Sequence, residues 1–219
     1  MQETKAYVRA RSAVGLHDSL FAYFSREFPK DVSILDCAAG TGLWVARLLK
    51  AGYTRIQAIE LDEKSYEGGA PCRVIDLDTD FSDSYSEQFD VITAIEIIEH
   101  MENPTHFLRE CRKLLKPGGA LILTTPNIES VPSRIKLLFK GKVKHFGKGD
   151  DPTHISPIIS TILPRLSARS GLRVDRFFPL VRKWDTRPGL RAISAMMAPF
   201  LPGNVYGECH LFVLRPEES

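Results

Sequence analysis

Ile34-Leu35-Asp36-Cys37-Ala38-Ala39-Gly40-Thr41-Gly42 is the stretch on which the reading of this chain turns. A short apolar run over 32–38 reads as a strand, and it ends in a turn of small residues. Residues 43–51 then read as a helix closed near Gly52. A strand that runs through such a turn into a helix is how open α/β sheets make room for a ligand beyond their carboxyl ends. Small residues at Ala38, Gly40 and Gly42 let the main chain approach that ligand closely, where a larger side chain would intrude. Eighteen residues after Gly42, Glu60 ends a second apolar run over 55–60. A carboxylate there can accept hydrogen bonds from both hydroxyls of a ribose.

Working outward, the same alternation continues. Residues 17–28 place Leu20, Phe21, Phe24 and Phe28 at helical spacing, and Pro29 stops the pattern. Strands are expected over 72–76, 89–95 and 120–125, with a helix over 104–115 ended by Pro117-Gly118-Gly119. Beyond Thr125 the regularity weakens. Residues 128–154 read as a connection rich in Lys, Arg and Gly, 158–170 as a helix capped by Gly171, and 172–178 and 210–214 as strands. Short apolar strands alternating with amphipathic helices imply a mostly parallel sheet covered on both faces. The stretch from Asp62 to Pro71 leaves little room for a helix after the second strand.

A pyrophosphate-binding turn would need a third glycine at Leu43 or Val45, and neither position has one. The expected ligand therefore lacks a pyrophosphate, as S-adenosylmethionine does. In order and spacing, ILDCAAGTG (34–42), AIELD (58–62), VIDLD (74–78), FDVITAIEIIEHMENP (89–104), LLKPGG (114–119) and LILTTPN (121–127) resemble the class I S-adenosylmethionine-dependent methyltransferases. They are similar in particular to the ubiquinone-pathway O-methyltransferases and their bacterial relatives. The resemblance implies a Rossmann-like, doubly wound, seven-stranded sheet, mostly parallel with an antiparallel final strand. It implies one domain over 1–219, with substrate-side insertions at 128–154 and 180–206.

By the same resemblance Asp36 anchors the glycine turn, and Ala38, Gly40 and Gly42 face the methionine moiety. Glu60 holds the ribose and Leu61 beside it also contacts the cofactor, Asp76 and Leu77 lie near the adenine, and Ile95 and Glu96 border the methyl group. The family often has glycine where this chain has Ala38.

A sulfonium methyl donor is already activated, so its transfer depends mainly on holding nucleophile and methyl in line. Glu96-Ile97-Ile98-Glu99-His100 sets three ligand-type side chains at i, i+3 and i+4, where a strand end passes into a helical turn. His154 is a fourth candidate, brought in from the loop after the fifth strand. Carboxylate with imidazole suits Mg²⁺ or Mn²⁺ better than structural zinc. Three readings stand open: a metal held by Glu96, Glu99, His100 and His154; Glu99 and His100 acting as catalytic groups without metal; and a purely structural turn.

The remaining features bound the substrate more than they name it. Of 219 residues, 29 are Lys or Arg and 27 Asp or Glu, a net charge of +2 that does not by itself imply a nucleic-acid partner. Cys37, Cys72, Cys111 and Cys209 stand far apart, which suits reduced thiols in a cytoplasmic protein. The polar start of the chain carries no apolar leader run, and no stretch reaches the ~20 apolar residues of a membrane span. The segment 133–148 mixes lysines with Leu, Ile and Phe, which suits an anionic substrate, a membrane surface or a nucleic-acid backbone, or a mobile lid. Trp184 and the methionines near 196 read as core packing.

The leading expectation is O-methylation of a small or lipid-like molecule. RNA 2′-O-methylation and a non-catalytic S-adenosylmethionine-binding regulator are the alternatives. The oligomeric state is left open.

Overall fold

The computed structural model describes residues 13–181 and 188–217; Trp184 and the polar start of the chain lie outside them. Seven strands form one sheet: β1 Ile34–Cys37, β2 Ile56–Glu60, β3 Cys72–Val74, β4 Phe89–Ile95, β5 Leu115–Pro126, β6 Leu172–Leu180 and β7 Cys209–Pro216. Their order is β3-β2-β1-β4-β5-β7-β6. The first five pair in parallel, and β7 runs antiparallel to both β5 and β6. This is the expected doubly wound sheet.

Both faces of the sheet are apolar because both are covered. Leu16, Leu20 and Phe24 of α1 (Leu16–Glu27) and Trp44, Val45 and Leu48 of α2 (Leu43–Lys50) pack on Ile34, Val91, Ile122 and Leu211. Their neighbours in sequence, Leu35, Ile92, Leu123 and Phe212, point the other way, onto Phe107, Leu108 and Cys111 of α3 (Pro104–Leu114). The two-residue period of a strand makes such a run apolar on both sides. Since α2 and α3 lie on opposite faces, the chain leaves β1 one way and β4 the other. That divergence opens a crevice at the carboxyl ends of these adjacent strands.

Four local expectations change. Helix α3 stops at Leu114, and Lys116-Pro117-Gly118-Gly119 is drawn into β5 with a register shift against β4. The helix expected over 158–170 shrinks to α5, Leu163–Ala168. Pro164 lacks an N–H and would clash with the carbonyl one turn earlier, so a helix begins at it rather than passing through it. The 128–154 connection contains a helix, α4 (Val131–Lys140), with Pro132 in its first turn and Gly141 (φ 61°) ending it. Within 180–206 lies α6 (Pro188–Met197). It packs on α4 through a small cluster of Val131, Ala198 and Val205, and Met196 is exposed rather than core. The short stretch after β2 holds a single 3₁₀ turn, Glu63–Ser65, as its length required.

Candidate functional site

The turn after β1 descends in left-handed steps at Ala38 (φ 58°), Gly40 (φ 55°) and Gly42 (φ 79°). Glu60, at the end of neighbouring β2, holds it in place. Its Oε2 accepts from the Gly40 N–H at 2.6 Å and its Oε1 from the Leu61 N–H at 2.9 Å. A carboxylate has about four acceptor sites, so capacity remains for ribose hydroxyls. Beneath the turn the buried Asp36 accepts from Thr93 Oγ1 at 2.6 Å. Burial, and then the nearby Glu60 charge, push its carboxyl up to about 7.

The two glycines serve different neighbours. A Cβ on Gly40 would meet nothing within 4 Å, so this edge is open to a ligand. A Cβ on Gly42 would stand 2.3 Å from Gly68 Cα and 2.9 Å from the Tyr66 ring. The segment around Gly68 crosses the turn there, and it demands a glycine at 42 before any ligand does. Sequence reasoning assigned both positions to the ligand and missed Gly68.

On the β3 side, Asp76 is exposed and accepts from the Asp78 N–H at 3.0 Å. Asp78 instead accepts from the Glu102 N–H at 2.9 Å, so it is tied to the segment after β4 and Asp76 is the acid left facing outward. The Leu77 side chain is buried in the core beside Phe81, while Leu61 is partly exposed.

Strand β4 ends through Ile95, partly buried, at Glu96, which adopts a left-handed backbone (φ 52°). A non-glycine residue in that region is strained, and such strain gathers at functional sites. The Glu96 N–H donates to Thr124 at 3.1 Å, to its carbonyl and its hydroxyl alike. Its Oε2 accepts from the Cys209 thiol at 3.7 Å, and its Oε1 has no partner among the described residues. Burial pushes this carboxyl up to about 7.

One 3₁₀ turn later the fully buried Glu99 accepts from Thr125 Oγ1 at 3.1 Å, and its Oε1 is also unpartnered among the described residues. Burial, and then repulsion by Glu96, hold its carboxyl well above the usual range. The main chain of Glu99 accepts from the N–H groups of Ile155 (3.0 Å) and Ser156 (2.9 Å). That pairing brings His154 in beside it.

Ligand-type atoms of Glu99, His100 and His154 lie within 4.8 Å of one another. The two imidazoles meet edge-on, with centroids 4.6 Å apart. His100 Nδ1 is 2.8 Å from Thr153 Oγ1, which gives its own hydrogen to Asp151 at 2.6 Å. Thr153 must therefore accept, and His100 Nδ1 carries the proton. His154 Nδ1 donates to the His145 carbonyl at 2.8 Å. Both rings thus keep a lone pair on Nε2, the tautomer that metal-ligating histidines adopt. Burial, and then His154, hold His100 below the usual imidazole range.

Three of the four expected ligands come together; Glu96 falls outside the group because its carboxyl turns to Cys209 on β7. Sequence reasoning also passed over Thr153 and Asp151, whose Asp-x-Thr spacing signals a local side-chain turn.

A sheet of this order, with a glycine turn lacking the pyrophosphate glycine and a ribose-type acid on the next strand, defines the S-adenosylmethionine-dependent methyltransferase class. Residues 7–176 match the family described as a methyltransferase domain, and the chain belongs to it. It is 34% identical over 105 residues to a ubiquinone biosynthesis O-methyltransferase of Caulobacter vibrioides, an overlap of 44% of this chain and 41% of that protein. The chain thus spans less than half of that relative's length.

Among solved structures it resembles a SAM-dependent methyltransferase from Archaeoglobus fulgidus, with TM-score 0.64 and 17% identity over 90% of this chain and 93% of that one. It also resembles the [4+2]-cyclase SpnF, with TM-score 0.61 and 17% identity over 93% and 81%. At such identities the likeness establishes the fold, and it extends to a protein whose title names a different reaction.

Proposed function

We propose that the chain transfers the methyl group of S-adenosylmethionine to a hydroxyl of a small or lipid-like acceptor, with a divalent cation, Mg²⁺ or Mn²⁺, held by Glu99, His100 and His154. The observation that carries the cation is the buried Glu99 with an unpartnered oxygen, set beside two imidazoles whose Nδ1 protons are already placed. A buried, half-satisfied carboxyl is costly, and a cation removes that cost. When bound, the cation would lower the pKa of the acceptor hydroxyl and orient it.

The protein's own groups do the rest. Glu60 seats the ribose, the open Gly40 edge takes the methionine moiety, Asp36 braces the turn from below, and the backbone at Glu96 closes strand β4 next to the acceptor. Transfer converts the sulfonium to S-adenosylhomocysteine, makes an oxygen–methyl bond and releases one proton. The O-methyltransferase name of the Caulobacter relative supports oxygen as the acceptor atom.

The test is transfer of labelled methyl into fractionated cell extract, with and without chelator. Label in a small-molecule or lipid fraction, lost on chelation and in Glu99→Gln, is the expected result. Label in RNA would replace the acceptor reading, and transfer indifferent to chelator would remove the metal.

A further inference from the structure

Helices α4 and α6 pack on each other through a cluster separate from the two cores that cover the sheet. Along α6 and the turn after it, only Ser194 and Ala198 are buried. The segment is apolar nearly all round, with Ile193, Met196 (68% exposed) and Phe200 (86%) on the outside. On α4, whose first turns pack against this segment through Val131 and Ile135, Leu138 and Phe139 are also exposed, each 77%. A helix apolar on every side is stable when something covers it, and the described residues leave these side chains open.

Charge says what covers them. Residues 130–149 contain Arg134 and five lysines but no Asp or Glu, and 188–207 contain no acid either. Lys136 pairs with Asp150 and Lys144 with Glu208. Lys140, Lys142 and Lys148, at the end of α4 and in the loop that follows it, are exposed. A second copy docking through this patch about a twofold axis would set lysines against lysines. An anionic lipid surface meets both features at once: acyl chains take the apolar residues and headgroups take the lysines. No helix among the described residues is long and apolar enough to cross a membrane. A ten-residue helix such as α6, about 15 Å long, lies in the interface instead.

We infer that the α4–α6 face is a peripheral docking surface for anionic membranes. It goes beyond the methyl-transfer reading and does not rest on it. The same connection carries His154, eight residues after Phe146, and the two rings lie 5.3 Å apart between centroids, so the docking face and the imidazole pair share one segment of chain.

The test is co-sedimentation of the full chain with vesicles of phosphatidylcholine alone or with one third phosphatidylglycerol, at low and high salt. Binding to the anionic vesicles only, weakened by salt, is expected. Phe139→Ser with Phe200→Ser should lower partitioning at least about tenfold. Lys140→Glu and Lys142→Glu should each lower it about fivefold or more. These exposed positions leave the melting temperature unchanged, which checks folding. Absence of binding to anionic vesicles would overturn the inference. So would a concentration-dependent dimer in sedimentation velocity that the phenylalanine variants abolish, since a second copy would then be the cover.

Discussion

At the scale of the residue, Ala38 is the departure most open to experiment. It holds φ 58°, a conformation that costs an L-residue about 1–2 kcal/mol. Glycine avoids that cost but gives back part of it as chain entropy. Ala38→Gly should therefore raise stability by about 0.5–1 kcal/mol, seen as a rise of about 1–4 °C in the melting temperature. Glu60→Ala should act in the opposite sense on binding. It removes the clamp on the Gly40 N–H and the carboxylate proposed to hold the ribose, and calorimetry with S-adenosylhomocysteine should show about 10- to 150-fold weaker binding.

Asp36 gives a pH signature. Its carboxyl keeps its proton up to about pH 7 when folded but only to about 3.8 as an isolated group, so the folded chain binds more protons across that window. Stability from this group is complete below about pH 4 and is lost as pH rises through 7. Asp36→Asn keeps an acceptor for Thr93 and removes the loss. The melting temperature of the variant relative to the parent should be near zero difference at pH 4.5 and higher by several degrees at pH 8. A difference that does not grow with pH would mean Asp36 is ionised in the folded chain.

At the scale of the element, the loop after α4 decides whether the imidazole pair exists. Lys144 and Glu208 are both largely buried and form an ion pair, with His145 Nε2 3.3 Å from the same carboxylate. Removing Lys144 takes away a buried positive partner of Glu208 and loosens the hold of this loop on the segment before β7. Lys144→Met should lower the melting temperature and weaken Mn²⁺ binding measured by electron paramagnetic resonance; unchanged values would show that the loop is held elsewhere.

Elements such as this mark where the sequence became hard to read. Strands β1, β2, β4 and β5 announce themselves because each is a dense apolar run beside a turn. So the glycine turn, Glu60 and the ExxEH group could be placed from residue order alone. Helix α4 was hidden because its lysines follow no clean amphipathic stripe, since much of its apolar side is exposed. The helix expected over 158–170 is shorter than its apolar spacing implies, because Pro164 acts as a start signal that outweighs the surrounding leucines. The partners of Glu96 were not legible at all: Thr124 is 28 residues away and Cys209 113 residues away, so only the folded register brings them together.

At the scale of the whole molecule, cofactor and stability are linked. A ligand that binds only the folded chain stabilises it by about 2.7 kcal/mol at a hundred times its dissociation constant. S-adenosylhomocysteine at that excess should raise the melting temperature by about 5–11 °C. The rise should shrink in Glu60→Ala at the same ligand concentration.

The position of β7 has its own consequence for how the chain is made. It lies between β5 and β6 in the sheet but follows both in the chain. While residues up to Leu180 leave the ribosome, β6 has no strand to pair with, and the edge of β5 stands open with Leu121, Ile122 and Leu123 beside it. The nascent protein therefore carries an unfinished apolar edge until residues 209–216 emerge and slot between them. A stalled chain ending near residue 200 should be a strong client for chaperones, whereas one extended past Pro216 by a polar tether long enough to clear the exit tunnel should be released as a closed sheet.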